Sequence, residues 1–463
     1  MNNRYIRLRI CFGIVVLILA YSQRTYCQPA QVDKPLIIDS QLRKQLIENI
    51  VSELKAKYIA PEKVKDIESY LRKKLQDGAY DKIEKPNEFA GALTQDLRAA
   101  SKDGHLFVTY DPPLERAFLL APTTPGVDLQ ELPPTAEHLA AIRQANYGFR
   151  RVEIMRGNVG YLDLRGFVDL NYSKDTAAAA INFLANTDAV IIDVRHNPGG
   201  FINTQNFLVS YFYGFDPVEL LSRYHREGDV TVKEFTFREV PGKRLPYVDL
   251  YILTSRETAS AGEGFSFILQ QRKRAKTVGE RTAGGGYGNK ETPIGNGFVF
   301  FISVFREFDP RTGRGWQEVG VEPDIAVPAE RALGAAHLEA VKTLAAKATD
   351  ERRKQQLSWL APLLEFEAYG AKQVPQLLLE KYVGKYTGIT ITLESGQLYF
   401  LGASAVRRKL HALADDYFLV EDTSVPPEDQ ARLRFIKNAD GVITELQLLV
   451  ASGRAFPRAR EGQ

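Results

Sequence analysis

The chain has 463 residues, 44% of them hydrophobic and 25% charged, with 60 basic against 57 acidic side chains. That is enough length for more than one core, too many apolar residues for a disordered chain, and too little net charge (+3) for a nucleic-acid binder. Two cysteines and six histidines, the latter scattered without ligand spacing such as His-Glu-x-x-His, exclude a disulfide framework and give no case for a metal or another cofactor.

Arg4, Arg7 and Arg9 precede the apolar run 11–20, and small residues at Thr25 and Cys27 suit cleavage before Gln28. This predicts a secretory signal peptide over 1–27 and an exported mature chain, periplasmic or extracellular, with no membrane span left after cleavage; a retained anchor is the alternative. Both cysteines leave with that segment. So do four arginines and no acid, which turns the formal charge of +3 into −1. The mature chain must therefore be held by ordinary core burial, and nucleic acid is not expected among its partners.

From Asp39 to Asp103 apolar residues recur at helical spacing: Leu42, Leu46, Ile47, Ile50 and Leu54, then Val64, Ile67, Leu71 and Leu75 after Pro61, then Leu93 and Leu97 after Pro86. A small helical domain is expected over 28–120. It runs into Ser101-Lys-Asp-Gly-His105, ahead of a strand-like run to Tyr110. A histidine there is either a surface or capping residue or one presented to a neighbouring domain.

Proline-rich sequence over 122–134 leads to a larger unit, 121–350, in which apolar strands at 158–164, 189–194 and 250–253 alternate with helices at 176–184 and 265–271. Short continuous apolar runs between helices predict a sheet covered on both faces. Arg195-His-Asn-Pro-Gly-Gly200 follows the second strand, at the end where α/β sites gather, and is either a plain turn or an anion-binding backbone. Thr258-Ala-Ser-Ala-Gly-Glu263 opens the 265–271 helix. Ser260 there is an N-cap, or a nucleophile beside the free N–H groups of a helix N-terminus. A glycine run at 282–288 reads as a wall of the same cleft, 296–305 as a strand, and 330–347 as a terminal helix. A linker is expected over 351–375. Short strands with glycine or acidic turns then predict a small antiparallel β domain over 376–463, closed or half closed.

Five stretches in one order over about 170 residues, Asn158-Val-Gly-Tyr-Leu162, 191–200, 258–263, Val278-Gly-Glu-Arg-Thr-Ala-Gly-Gly285 and Gly320-Val-Glu-Pro-Asp324, resemble the C-terminal processing (tail-specific) serine peptidases, the tricorn core and the interphotoreceptor retinoid-binding proteins. The resemblance implies an α/β fold with a ClpP/crotonase-like β-α spiral core, and a serine peptidase acting on peptide or unfolded protein. In the processing branch a lysine 25 residues after the nucleophile is the base; here that position is Gly285, and there is no room for that branch's PDZ domain. The chain looks closer to the tricorn and retinoid-binding branch, which implies Ser260 as nucleophile, His105 as base, Glu318 as orienting acid, and an oxyanion hole from the N–H of Ala261 with that of Gly199 or Gly200. No cofactor is implied. His196 is the rival base, Glu263 and Glu322 are rivals for the acid, and Arg165 is a candidate for a substrate carboxylate. A lipid-binding module and an esterase are the alternative functions. With His105 and Ser260 on different domains, the cleft is expected between them, with a modest hinge.

Overall fold

The computed structural model describes residues 36–120, 134–404 and 406–462. The expected signal peptide lies outside the described residues, as does nearly all of the proline-rich stretch. Asp39 accepts the N–H of Leu42 at 2.7 Å and so caps helix α1 (Ser40–Lys57). Helix α2 (Val64–Gln76) follows, and Pro86, whose missing N–H costs nothing in a first turn, starts α3 (Pro86–Ser101). Strand β1 (Phe107–Tyr110) and two short helices, α4 (Pro112–Leu120) and α5 (Ala136–Gln144), lead to the hairpin of β2 (Phe149–Met155) and β3 (Val159–Leu164).

Next come α6 (Leu170–Phe183), β4 (Ala189–Asp193), α7 (Ile202–Ser210), β5 (Glu219–His225), β6 (Val230–Phe235) and β7 (Asp249–Thr254). After these stand α8 (Ala261–Gln271), β8 (Lys276–Gly279), β9 (Tyr287–Gly295), β10 (Phe298–Phe308), β11 (Ile325–Ala326), α9 (Ala332–Lys347) and α10 (Glu351–Tyr369). Helix α10 occupies most of the stretch expected as a linker. The chain ends with α11 (Gln376–Tyr382) and eight strands from β12 (Gly384–Tyr386) to β19 (Ala455–Ala459).

These strands form three sheets, and here the expected ClpP/crotonase-like β-α spiral is overturned. A six-stranded mixed sheet has the order β11-β8-β7-β4-β3-β2, parallel except for the β2-β3 hairpin. A spiral needs each strand-helix unit to wind on from the one before. After α7 the chain instead leaves this sheet for the antiparallel hairpin β5-β6, and after β8 it leaves again for β9-β10; both excursions join β1 in a second, five-stranded antiparallel sheet. The third sheet is an antiparallel meander in sequence order from β12 to β19. A bridge between Tyr386 and Arg460 joins its two ends, with Thr387 N–H on Ala459 O at 3.0 Å, so the sheet curls into a nearly closed barrel.

Alternate residues of the mixed sheet serve different cores, as the two-residue period of a strand requires. Leu162, Leu164, Val190, Ile192, Leu250 and Ile252 face α6, α7 and α8, while Tyr161, Ile191, Tyr251 and Leu253 face α9 and α10. A third core joins α1, α2 and α3 to the second sheet through Ile294, Phe298, Phe300 and Ile302. Because Phe298 has no exposed surface there, Phe298→Ala should lower stability by about 3–5 kcal/mol in denaturant melts. The half-exposed Phe235→Ala, on the β6 edge, should stay within about 0.5 kcal/mol.

Candidate active site

Strands β4 and β7 are parallel neighbours, so the loops leaving their C-terminal ends lie side by side. Cross-loop bonds stitch them together: Thr258 Oγ1 donates to Val194 O at 2.8 Å, Ala259 N–H to Asn197 O at 3.1 Å, and the Ser255 hydroxyl to Arg195 O. Where the second loop enters α8, Ser260 has φ +51° and ψ −123°, a backbone state that side-chain-bearing residues rarely adopt. Such a sharp strand-to-helix turn lifts a side chain out of the chain path at a helix N-terminus.

Gly199 permits the closest approach of the two loops. It stands at φ +113°, and a Cβ there would come within 2.7 Å of Ser260 Cβ and 3.0 Å of Ala261 N. Asn197 has no exposed surface; its side-chain oxygen takes the N–H of Gly199 at 2.8 Å, and its amide donates to Leu164 O. The N–H groups of Gly200 and Ala261 have no hydrogen-bond partner among the described residues. Of the sequence-derived oxyanion donors, then, Ala261 and Gly200 are open and Gly199 is engaged.

Behind the serine lies Glu263, with no exposed surface. Its carboxylate accepts four donors: Thr282 Oγ1 at 2.5 Å, Gly284 N–H at 2.6 Å, Gly285 N–H at 2.7 Å and Ser260 N–H at 3.0 Å. Burial pushes this carboxyl up, and the four donors pull the other way. The spacing Ser260-x-x-Glu263 is the capping-box signature that could have flagged it. Its link to the glycine run has no local signal.

The same glycine run meets the helical layer. A Cβ at Gly285 would lie 2.8 Å from His105 Cε1 and 3.4 Å from Glu263 Oε2, so the imidazole and the Glu263 carboxylate flank one glycine. The His105 backbone N–H is held by Asp103 at 2.9 Å, and its carbonyl accepts Asn289 Nδ2 at 3.2 Å. Desolvation lowers the imidazole pKa below its ordinary value; Asp103 opposes that shift and Arg98 adds to it.

Glu318 reaches the same wall by its backbone, donating its N–H to Gly284 O at 2.8 Å. Its half-exposed carboxylate pairs with Lys63, from the turn before α2, which also donates to Ser101 O at 3.0 Å. Ser260 is thus tied to Gly284 and Gly285 through Glu263, His105 packs on Gly285, and Glu318 meets Gly284 by its backbone, with its carboxylate engaged by a lysine. His196 is exposed and its Nδ1 lies 2.7 Å from Glu257 Oε2. Glu322 pairs with Arg281 on the surface, and Arg165 grips Asp163 through two contacts of 2.5 and 2.8 Å. Tyr58, Lys63 and Asp103 escape sequence reasoning as site residues, since each gains its place only by tertiary contact.

Among the described residues no helix is long and apolar enough to cross a membrane, and no group of three or more His, Cys, Asp or Glu side chains could hold a metal.

Comparison with known proteins gives two family profiles. The one described as peptidase family S41 matches residues 158–327, and the one described as the N-terminal domain of that peptidase in eukaryotic IRBP matches 38–149. Carboxyl-terminal-processing peptidase 3, chloroplastic, of Arabidopsis thaliana is 28% identical over 172 residues, 36% of this chain and 32% of its own. The carboxy-terminal processing protease CtpB of Bacillus subtilis is 26% identical over 172 residues, 37% of this chain and 34% of its own. The match spans about a third of the length of these curated relatives. Among solved structures, the photosystem II D1 C-terminal processing protease superposes with a TM-score of 0.40 and 17% identity, over 63% of this chain and 94% of its own. A lipoprotein from Streptococcus agalactiae gives 0.43 and 14%, over 69% and 100%. With the two S41 profiles together taking in more than half of its residues, the chain belongs to peptidase family S41.

Proposed function

We propose that the chain is an exported serine peptidase, periplasmic or extracellular, that cleaves peptide or unfolded protein through an acyl-enzyme on Ser260. The helical domain (28–120) supplies the base, the core (121–350) the nucleophile, and the β domain (376–463) stands apart from the chemistry. The observation that carries this reading is the convergence at Gly285, where the His105 imidazole packs on the wall that Glu263 ties to Ser260. The curated relatives are named for carboxyl-terminal processing, which makes a protein C-terminal segment the first substrate to try.

A serine hydroxyl is a poor nucleophile at neutral pH until a base takes its proton. His105 accepts that proton as Ser260 Oγ bonds to the scissile carbonyl carbon, then returns it to the leaving amine. The negative tetrahedral oxygen is met by the open N–H groups of Ala261 and Gly200, at a helix N-terminus that favours negative charge. Water then releases the acyl group by the same steps in reverse roles. Glu318 serves the imidazolium electrostatically from the glycine wall, held there by Lys63.

Ser260→Ala should abolish labelling by a fluorophosphonate, and His105→Ala should slow it by about 10²–10⁴-fold. Gly285→Val, which intrudes on the imidazole, should slow it too while the protein stays folded. Lys276 is paired with Glu339 at 2.7 Å, and Lys276→Ala and Lys290→Ala should label nearly as the parent does; strong loss in either lysine variant would restore a Ser-Lys mechanism.

The pH profile is a second test. A lowered imidazole pKa keeps the base form present to lower pH, so the acid limb of kcat/KM should have its midpoint below the ordinary histidine value of 6.5, with a plateau at neutral pH. A midpoint above 6.5 would count against His105.

A further inference from the structure

Asp103 has no exposed surface and sits at the root of the loop that carries His105. Its Oδ1 accepts the His105 N–H at 2.9 Å, and its Oδ2 accepts the Tyr58 hydroxyl at 3.2 Å. Its own N–H donates to Ser101 Oγ at 3.0 Å, which fixes the loop from the end of α3. The carboxylate is therefore held by two donors, on a loop that a third bond fixes. Its Oδ1 also lies 3.9 Å from His105 Nδ1, a nitrogen shielded from water and without a hydrogen-bond partner among the described residues. The other candidate acid, Glu318, spends its carboxylate on Lys63 and is half exposed.

We infer that Asp103 is a positioning residue for His105: it faces Nδ1, keeps the proton on that nitrogen, and leaves Nε2 as the base. The inference rests on the proposal that His105 is the base. In the acylation step the proton of Ser260 Oγ passes to Nε2 while Nδ1 keeps its own, and the Asp103 carboxylate offsets the imidazolium charge. A charge in a solvent-shielded site acts more strongly than one at the surface, so a neighbour at 3.9 Å is worth more than a screened Glu318. The other charged or titratable groups are Arg98 from α3 and Glu263 from α8 near the imidazole, and the phenols of Tyr58 and Tyr287 near Asp103. Burial and the Asp103 charge push both phenols up, so they stay neutral, and Arg98 opposes a proton on the ring. Among these groups, Asp103 is the carboxylate facing Nδ1.

The test is an NMR titration of His105 in Ser260→Ala protein, which needs no turnover. Adding Asp103→Asn should lower the His105 pKa further and loosen its preference for the Nδ1–H tautomer, while adding Glu318→Gln should move it less. In the Ser260 enzyme, Asp103→Asn should cut kcat by about 10- to 100-fold with KM within about twofold. Should the Asn variant fail to fold, Tyr58→Phe reads the same contact: freeing Oδ2 concentrates charge on the carboxylate and should raise the His105 pKa. A His105 titration that ignores these changes, or that follows Glu318→Gln instead, overturns the assignment. Absence of Ser260 labelling in the parent protein would overturn the peptidase reading and leave this measurement intact.

Discussion

The buried Glu263 carboxylate is the tie on which the site's geometry depends. A carboxylate taken out of water is costly unless its lone pairs are filled, and here one hydroxyl and three backbone N–H groups fill them. Two consequences follow from where those donors come from. Ser260 N–H belongs to the strained turn, so the bond helps to hold a backbone state that costs roughly 1–3 kcal/mol elsewhere. Gly284 and Gly285 belong to the wall, so the same group sets the distance from the nucleophile's turn to the surface on which the imidazole rests.

The helical layer meets the rest of the chain through the core it shares with the second sheet. Half of the strand residues facing α1, α2 and α3 come from β10, nearly two hundred residues further along the chain. Polar bonds reinforce the contact: Ile59 N–H donates to Ser303 O at 2.9 Å, and Arg226 reaches Tyr58 O at 2.7 Å and Lys55 O at 3.0 Å. Moving His105 away from Gly285 would mean exposing Phe298 and its neighbours.

What the sequence made legible was local. Helical spacing over 39–103 named most of the apolar residues that α1, α2 and α3 bury, because a 3.6-residue period needs no partner to be seen. The β-α spiral came from the resemblance, and periodicity could not correct it because it says nothing about which sheet a strand joins: 219–235 carries polar and exposed positions on β6 and gave no strand signal, and β10 is as apolar as a parallel strand while pairing antiparallel. Barrel closure depends on one contact between Tyr386 and Arg460 at opposite ends of a domain. In the site, the turn chemistry around Ser260 and Gly199 could be read from neighbouring residues. The grip of Lys63 on Glu318 joins positions 255 residues apart and could not.

Gly285 also limits which kind of base the wall can hold. The processing branch resembled by this chain carries a lysine at that position, yet the space a Cβ would fill here is taken by the His105 ring. On the proposed reading, the two kinds of base compete for one volume, so a lysine placed at 285 would displace the imidazole rather than add a second base beside it.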